Sequence, residues 1–401
     1  MKGHIFRRGC TCKRKKKCIC GAKWAFVVDI GKDPLTGKRK QKTKSGFPSH
    51  EEAEAAATTL IYELSQGTYV EETDQTFNDF SKEWLTIYSE SKEVKPGTIR
   101  VRLHEIGKLL PYFAQLKLKD ITRKMYQDAL NDLKDQGYSD STRDGINQTG
   151  RMIFRKALEL EVIKKDPTEF AYVKKDKKTI EQLEEEEVPK YLEKEELALF
   201  LETAKNYGLE LDYLVFLILS YTGIRVGELV ALKWKDIDFL NHTISITKTY
   251  YNPNNNTKNY QLVTPKTKKS RLKIVVDEMV ISALQEHKEV QKKLMEQVGD
   301  VYYNKDFIFA KMERQHGYPI VIKTVQNRMA RLLALAQELT PHSLRHTHTS
   351  LLAEAGVSLE QIMDRLGHTD DQITKNVYLH VTEEMKKEAS QKFAELMRSL
   401  R

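Results

Sequence analysis

Residues 339–381 read LTPHSLRHTHTSLLAEAGVSLEQIMDRLGHTDDQITKNVYLHV. Thr340 and Pro341 open a helix that runs to Glu354 and stops at Gly356, because proline suits the first helical turn and glycine the position after the last. On it His342 and Arg345 lie one turn apart and face the same way. Ser358 and Gln361 form a capping box for the next helix, which Gly367 ends, leaving His368 at the exit. Thr369 and Gln372 cap a third, short helix that delivers Tyr378. The stretch predicts a mainly helical domain with cations, imidazoles and a phenol gathered on helices and at their ends.

Two further pieces lie upstream. The apolar run Leu211 to Tyr221 ends at Gly223, and Arg225-Val-Gly-Glu228 follows directly. An arginine just past a buried helix, with its acid three residues on, is held in one orientation by packing and charge; a plain helix-surface salt bridge would have the same spacing. Thr243 to Tyr250, Tyr260 to Thr264 and Arg271 to Val276 are β-rich. Pro265 to Ser270 is the turn joining the last two, placing Lys266 at a hairpin tip beside Lys268 and Lys269. Two arginines, two histidines, a lysine and a tyrosine, without a carboxylate cluster, suit a phosphodiester handled without a divalent metal. Arginines neutralise the oxygens that Mg²⁺ would otherwise bind.

A chain of 401 residues predicts two or three compact units. With 40% hydrophobic and 31% charged residues and few Gly or Pro, it reads as helix-rich and globular. No apolar run reaches membrane-spanning length and no signal-peptide core follows the basic start, so the expected location is the cytoplasm. The net charge of +9 is unevenly placed: residues 1–50 hold 15 Lys and Arg against 2 Asp and Glu, leaving 51 against 55 for the rest. A basic head on a near-neutral body predicts a separate module for phosphate backbones.

All four cysteines fall in that head, as Cys10, Cys12, Cys18 and Cys20. Clustered thiols in a reducing compartment favour metal over disulfides, and four thiolates match a structural zinc, although C-x-C is tighter than the usual spacing. Reduced thiols without a metal are the alternative. Lys23 to Ile30 and Lys38 to Lys44 read as a hairpin around a Gly-Pro-rich turn, and Ser49 with Glu52 caps an alanine-rich helix to about Gln66. Alternation puts Lys38, Lys40, Lys42 and Lys44 on one face, which could lie in a DNA groove.

Thr73 to about Lys175 predicts a bundle of four or five helices, with Phe77, Phe80, Trp84 and Tyr88 as a core stripe. Thr98 is expected to cap its second helix and Asp120 to begin its third. Arg100 and Arg102 are the candidate DNA contacts there, while Arg143, Arg151 and Arg155 read as solvated charges. Residues 176–190, with four consecutive glutamates and a proline, have linker composition. After Tyr378, Thr382 is expected to cap a last, separate helix with an apolar stripe.

The order Arg225, Lys266, His342-x-x-Arg345, His368 and Tyr378, with the words TGIRVGELVALKW, HSLRHTHTSLLAEAG, IMDRLGH and VYLHV, resembles the tyrosine recombinase (phage integrase) family. The resemblance implies a multidomain α+β chain. Its parts would be a small N-terminal sheet with one helix (1–66) for arm-type DNA, a helical core-binding domain (73–175) and a mainly α catalytic domain with a small antiparallel sheet (191–401). It implies Tyr378 as nucleophile forming a 3′-phosphotyrosyl bond, Arg225 and Arg345 as phosphate clamps, and Glu228 supporting Arg225. Lys266 would be general acid, His342 would assist proton transfer and His368 would bind the phosphate. It implies no cofactor for catalysis, since the covalent bond conserves phosphodiester energy. The implied partners are double-stranded attachment sites, a homotetramer joined through the tail helix, an excision factor and a host DNA-bending protein.

The reading that follows is an integrase of a phage or integrative conjugative element. Chromosome-dimer or plasmid resolution would not need the basic arm. A silent DNA-binding regulator is expected to have lost one of the six residues, and none is missing. A metal-dependent nuclease would need clustered carboxylates.

Overall fold

The computed structural model describes residues 3–10, 12, 20–32, 36–70, 73–91, 94–175, 190–265, 271–333, 339–367 and 372–399. The chain divides into two compact units, Met1–Asp176 and Lys177–Arg401.

The first unit starts with an antiparallel sheet in the order β1-β2-β3, formed by β1 (His4–Arg7), β2 (Trp24–Lys32) and β3 (Arg39–Phe47). The β2–β3 hairpin matches the sequence expectation; β1 does not appear in it. Helix α1 (His50–Ser65) is started by Ser49, whose hydroxyl accepts the Glu52 N–H at 3.1 Å. Its Ala57 meets Phe26 and Val28, with Ile5, Phe47 and Leu60 around them, so α1 covers one face of the sheet.

The same unit continues with α2 (Phe77–Ser91), α3 (Pro96–Phe113), α4 (Arg123–Asp135) and α5 (Asp140–Glu159). Phe77, Phe80, Trp84, Phe113, Tyr126 and Phe154 meet in one core, as the aromatic spacing requires. Two starts differ from expectation. Helix α3 begins at Pro96, which can occupy a first turn because its missing N–H has no partner to lose there. Helix α4 is capped by Thr122, and Asp120 sits in the preceding 3-10 turn.

The second unit is built around α7 (Asp212–Thr222), nine of whose eleven residues are buried. Around it lie α6 (Lys194–Tyr207), α8 (Val226–Val230), α9 (Glu278–Val298), α10 (Ile322–Leu332) and α11 (Ser343–Glu354), followed by α12 (Leu359–Leu366) and α13 (Gln372–Ser399). Their apolar faces join α7 in one core that includes Phe200, Phe216, Leu284, Met329 and Leu344. The buried Asp212 carboxylate accepts from Arg328 at 3.1 Å and Arg331 at 3.2 Å, which offsets the cost of its burial.

Two small sheets flank this core. Strands β4 (Ile237–Asp238), β5 (Thr243–Ile246) and β8 (Leu272–Val275) form one, and β6 (Thr249–Tyr251) with β7 (Gln261–Val263) the other. The expected hairpin between the last two strands is therefore corrected. Strand β8 pairs with β5, setting buried Ile274 beside Ile244, and β7 pairs with β6, so the segment carrying Lys266 joins two sheets. The expected break at Thr382 is also absent. Its hydroxyl donates to the Leu379 carbonyl at 3.0 Å within the continuous helix α13, a bond that satisfies the side chain without a cap.

Candidate active site

The turn after α7 sets the position of Arg225. Gly223 ends the helix in the left-handed region at φ +62°, and a Cβ there would fall 2.7 Å from both His348 Cδ2 and Leu366 Cδ2. Arg225 then occupies the N-cap of α8. Its backbone N–H donates to Glu228 Oε2 at 2.9 Å and its Nη1 to Oε1 at 3.1 Å. Glu228 is buried whereas the Arg225 side chain is 40% exposed, so the acid is fixed in protein and the guanidinium stands at the surface.

Arg345, on α11, is buried. Its Nη1 donates to the Gly223 carbonyl at 2.6 Å and its Nη2 to the Leu366 carbonyl at 2.7 Å. One planar guanidinium thus joins the turn before Arg225 to the last residue of α12. His342 is the exposed N-cap of the same helix, with its ring edge-on to His346 at 4.9 Å. Tyr378 is half-buried on α13, packed on a cluster of Ala353, Ile362, Leu366 and Val381. Leu366 is common to both arrangements: its side chain lies in the cluster that seats Tyr378 and its carbonyl receives Arg345. Lys266 and His368 lie outside the described residues.

His346 and His348, on the same helix as Arg345, are both buried. His348 Nδ1 lies 2.9 Å from the Ser220 carbonyl, and Arg365 Nε donates to its Nε2 at 3.2 Å. Burial, then the Arg365 charge, pulls His348 down to about 3. Arg365 is the residue that the sequence reading missed. Its Nη2 also donates to the carbonyls of Tyr221 at 3.3 Å and Val275 at 3.2 Å, pinning α12 to the end of α7 and to β8. Only its place in the IMDRLGH word could have drawn attention to it.

In the first unit, Lys42 and Lys44 sit directly across the strand from Val28 and Phe26. Direct partners share a face, so these lysines lie together, as alternation predicts, on the side that α1 covers, at its margin. With Phe26, Lys119 and Lys164 they line a cavity of about 550 Å³. Lys40 and Lys38 are exposed, the latter before the strand begins. Arg100 is exposed, but Arg102 donates to Glu105 at 2.8 Å and to buried Thr149 at 2.7 Å, tying α3 to α5. Arg143, read as a solvated charge, is fully buried and donates to the carbonyls of Tyr138 and Lys174. The sulfurs of Cys10, Cys12 and Cys20 lie within 4.8 Å of one another; Cys18 is outside the described residues.

The comparisons with known proteins agree with this architecture. A family model described as the phage integrase family matches residues 190–385, an arm DNA-binding domain model residues 12–64, and a phage integrase N-terminal SAM-like domain model residues 76–134. The integrase of Staphylococcus phage L54a is 32% identical over 342 residues, which are 80% of this chain and 93% of that one. The Tn1549 transposon integrase, solved with transposon right end DNA, has a TM-score of 0.61 at 22% identity over 80% of this chain and all of that one. A lambda integrase tetramer bound to a Holliday junction gives 0.52 at 19% identity over 88% and 91%. These likenesses define a recombinase fold that cuts and rejoins DNA strands through a tyrosine. The chain belongs to the phage integrase family. Among the described residues no helix is long and apolar enough to cross a membrane.

Proposed function

We propose that this recombinase integrates and excises a phage or integrative conjugative element, with Tyr378 as its nucleophile. The observation that carries the residue assignment is the double tie of Arg345, to Gly223 beside Arg225 and to Leu366 beneath Tyr378. Arg225 and Arg345 clamp the non-bridging oxygens of the scissile phosphate, and buried Glu228 fixes Arg225. The Tyr378 phenol oxygen attacks phosphorus, forming a 3′-phosphotyrosyl bond as the bond to the 5′-oxygen breaks. His342 assists removal of the phenolic proton, Lys266 protonates the departing 5′-oxygen and His368 hydrogen-bonds the phosphate. Attack by a partner strand's 5′-hydroxyl reverses the step, and two rounds through a Holliday junction exchange the duplexes without ATP or a catalytic metal.

Four copies of the chain act on paired attachment sites in the bacterial cytoplasm, with an excision factor and a host bending protein as further partners. Residues 1–66 bind arm DNA, using Lys38, Lys40, Lys42 and Lys44; residues 73–175, through Arg100, bind the core site. The tail of α13 joins protomers. Cys10, Cys12 and Cys20 hold a structural zinc apart from the chemistry.

The test is a duplex of the element's junction nicked near the crossover. A covalent protein–DNA adduct is expected in EDTA and is lost in Tyr378→Phe. An adduct that survives this substitution, or that requires Mg²⁺, refutes the mechanism.

A further inference from the structure

Strands β1 and β2 are antiparallel neighbours, with Arg7 opposite Trp24, yet residues 8–23 lie between them. Hairpin connections usually need two to five residues, and a longer loop adds closure entropy that something must offset. The base of this one is closed by the Arg8 N–H, which donates to the Lys23 carbonyl at 3.2 Å, and by Arg7 stacked over the Trp24 ring. Just beyond the base stand the three sulfurs. Gly9 and Gly21 are both in the left-handed region, at φ +74° and +68°, and these turns beside Cys10 and Cys20 bring the two thiols together.

The Cys10 and Cys20 sulfurs are 3.7 Å apart. A disulfide would need about 2.05 Å. Zinc–sulfur bonds of about 2.3 Å in a tetrahedron give sulfur–sulfur edges of about 3.8 Å, which this spacing matches. The apolar cluster of the sheet, Phe26, Val28 and Ala57, is small for a module of this size, and small modules commonly need a disulfide or a metal to hold together.

Resting on the zinc assignment above, we propose that the thiolates of Cys10, Cys12 and Cys20 bind one Zn²⁺ that closes the β1–β2 connection and holds β1 in register, so that metal loading controls assembly of the arm module but not strand cleavage. Each thiol gives up its proton as its zinc–sulfur bond forms, so binding releases protons and weakens at low pH. Cys18 is not counted among the ligands.

The experiment uses the full chain purified without chelator. Native mass spectrometry is expected to find one zinc per chain, absent from a Cys10→Ser/Cys20→Ser variant. Amide hydrogen exchange of His4–Arg7 is expected to rise about tenfold when zinc is stripped with EDTA and to recover when Zn²⁺ alone is added back. Adduct formation on the nicked junction duplex should stay within twofold throughout. A chain that carries no zinc and takes none up overturns the metal assignment itself. Zinc that binds but leaves β1 exchange unchanged on removal overturns the staple while the assignment stands. Chelation and re-addition need no mutation, so a variant that fails to fold does not decide the matter.

Discussion

Arg345 Nη1 donates to the carbonyl of Gly223 at 2.6 Å, joining two sequence boxes more than a hundred residues apart. Its Nη2 simultaneously reaches Leu366, the end of the helix before His368. A lysine has one nitrogen on a flexible stem and cannot span both carbonyls. Arg345→Lys is therefore expected to reduce adduct formation by about 10² or more, the scale seen when a preorganised charge-stabilising donor is removed. Binding to the intact duplex should change little. A gel assay of both quantities decides it: cleavage within a fewfold of wild type would mean the fork geometry is dispensable.

Gly223 is the second position where a small change should be costly. Any side chain there meets His348 and Leu366 at 2.7 Å and must also hold φ near +62°. Left-handed backbone costs about 1–2 kcal/mol and overpacking about 1–3 kcal/mol, so Gly223→Ala should lose roughly 2–5 kcal/mol. Urea unfolding followed by tryptophan fluorescence would measure this. Wild-type stability would show that α12 can move aside.

The chemistry-bearing words were legible because capping and apolar spacing are local. Ser343–Glu354 and Leu359–Leu366 appear as the two helices that spacing predicts, but the first starts later than the Thr340-Pro341 signal, with His342 at its N-cap. What was not legible depends on partners distant in the chain. Strand β1 has only four residues, HIFR, and its mate lies far along the sequence, so no turn signal marks it. Alternation correctly grouped Lys42 with Lys44, but which face α1 would cover is a tertiary fact fixed by Phe26 and Val28. Arg102 and Arg143 look like ordinary surface cations until Glu105, Thr149 and the Tyr138 carbonyl are seen beside them. Lys266 and His368 could be placed only by order and wording, and both fall outside the described residues.

Glu228 supplies a graded test of how Arg225 is held. The residue is 4% exposed, and its carboxylate accepts both the backbone N–H and Nη1 of Arg225. Gln keeps one acceptor oxygen but loses the charge, whereas Ala leaves the backbone donor unsatisfied. Cleavage is expected to fall about tenfold in Glu228→Gln and further in Glu228→Ala, with roughly 1–3 kcal/mol of stability lost in the latter. Single-turnover adduct rates beside thermal melts would separate the two effects. Equal rates in Gln and wild type would assign Glu228 a packing role alone.

His348 should make the catalytic unit acid-sensitive. In the fold its Nε2 accepts from Arg365 Nε and its Nδ1 faces the Ser220 carbonyl, an arrangement suited to the neutral ring with its proton on Nδ1. Burial first, then the charges of Arg365 and, more weakly, Arg345, lower its pKa from 6.5 to about 3. The unfolded chain therefore binds a proton between these values that the folded chain does not. Stability from this group is complete above about 6.5 and is lost as pH falls toward 3. By pH 5 the contribution lost is roughly 2 kcal/mol, at about 1.4 kcal/mol per pH unit. His348→Gln can accept from Arg365 and donate to Ser220 without titrating. The gap between wild-type and His348→Gln unfolding free energies should therefore shift in favour of the variant from pH 7 to pH 5. A gap that stays constant across that range would mean His348 protonates in place, and that Arg365 turns away to admit the charge.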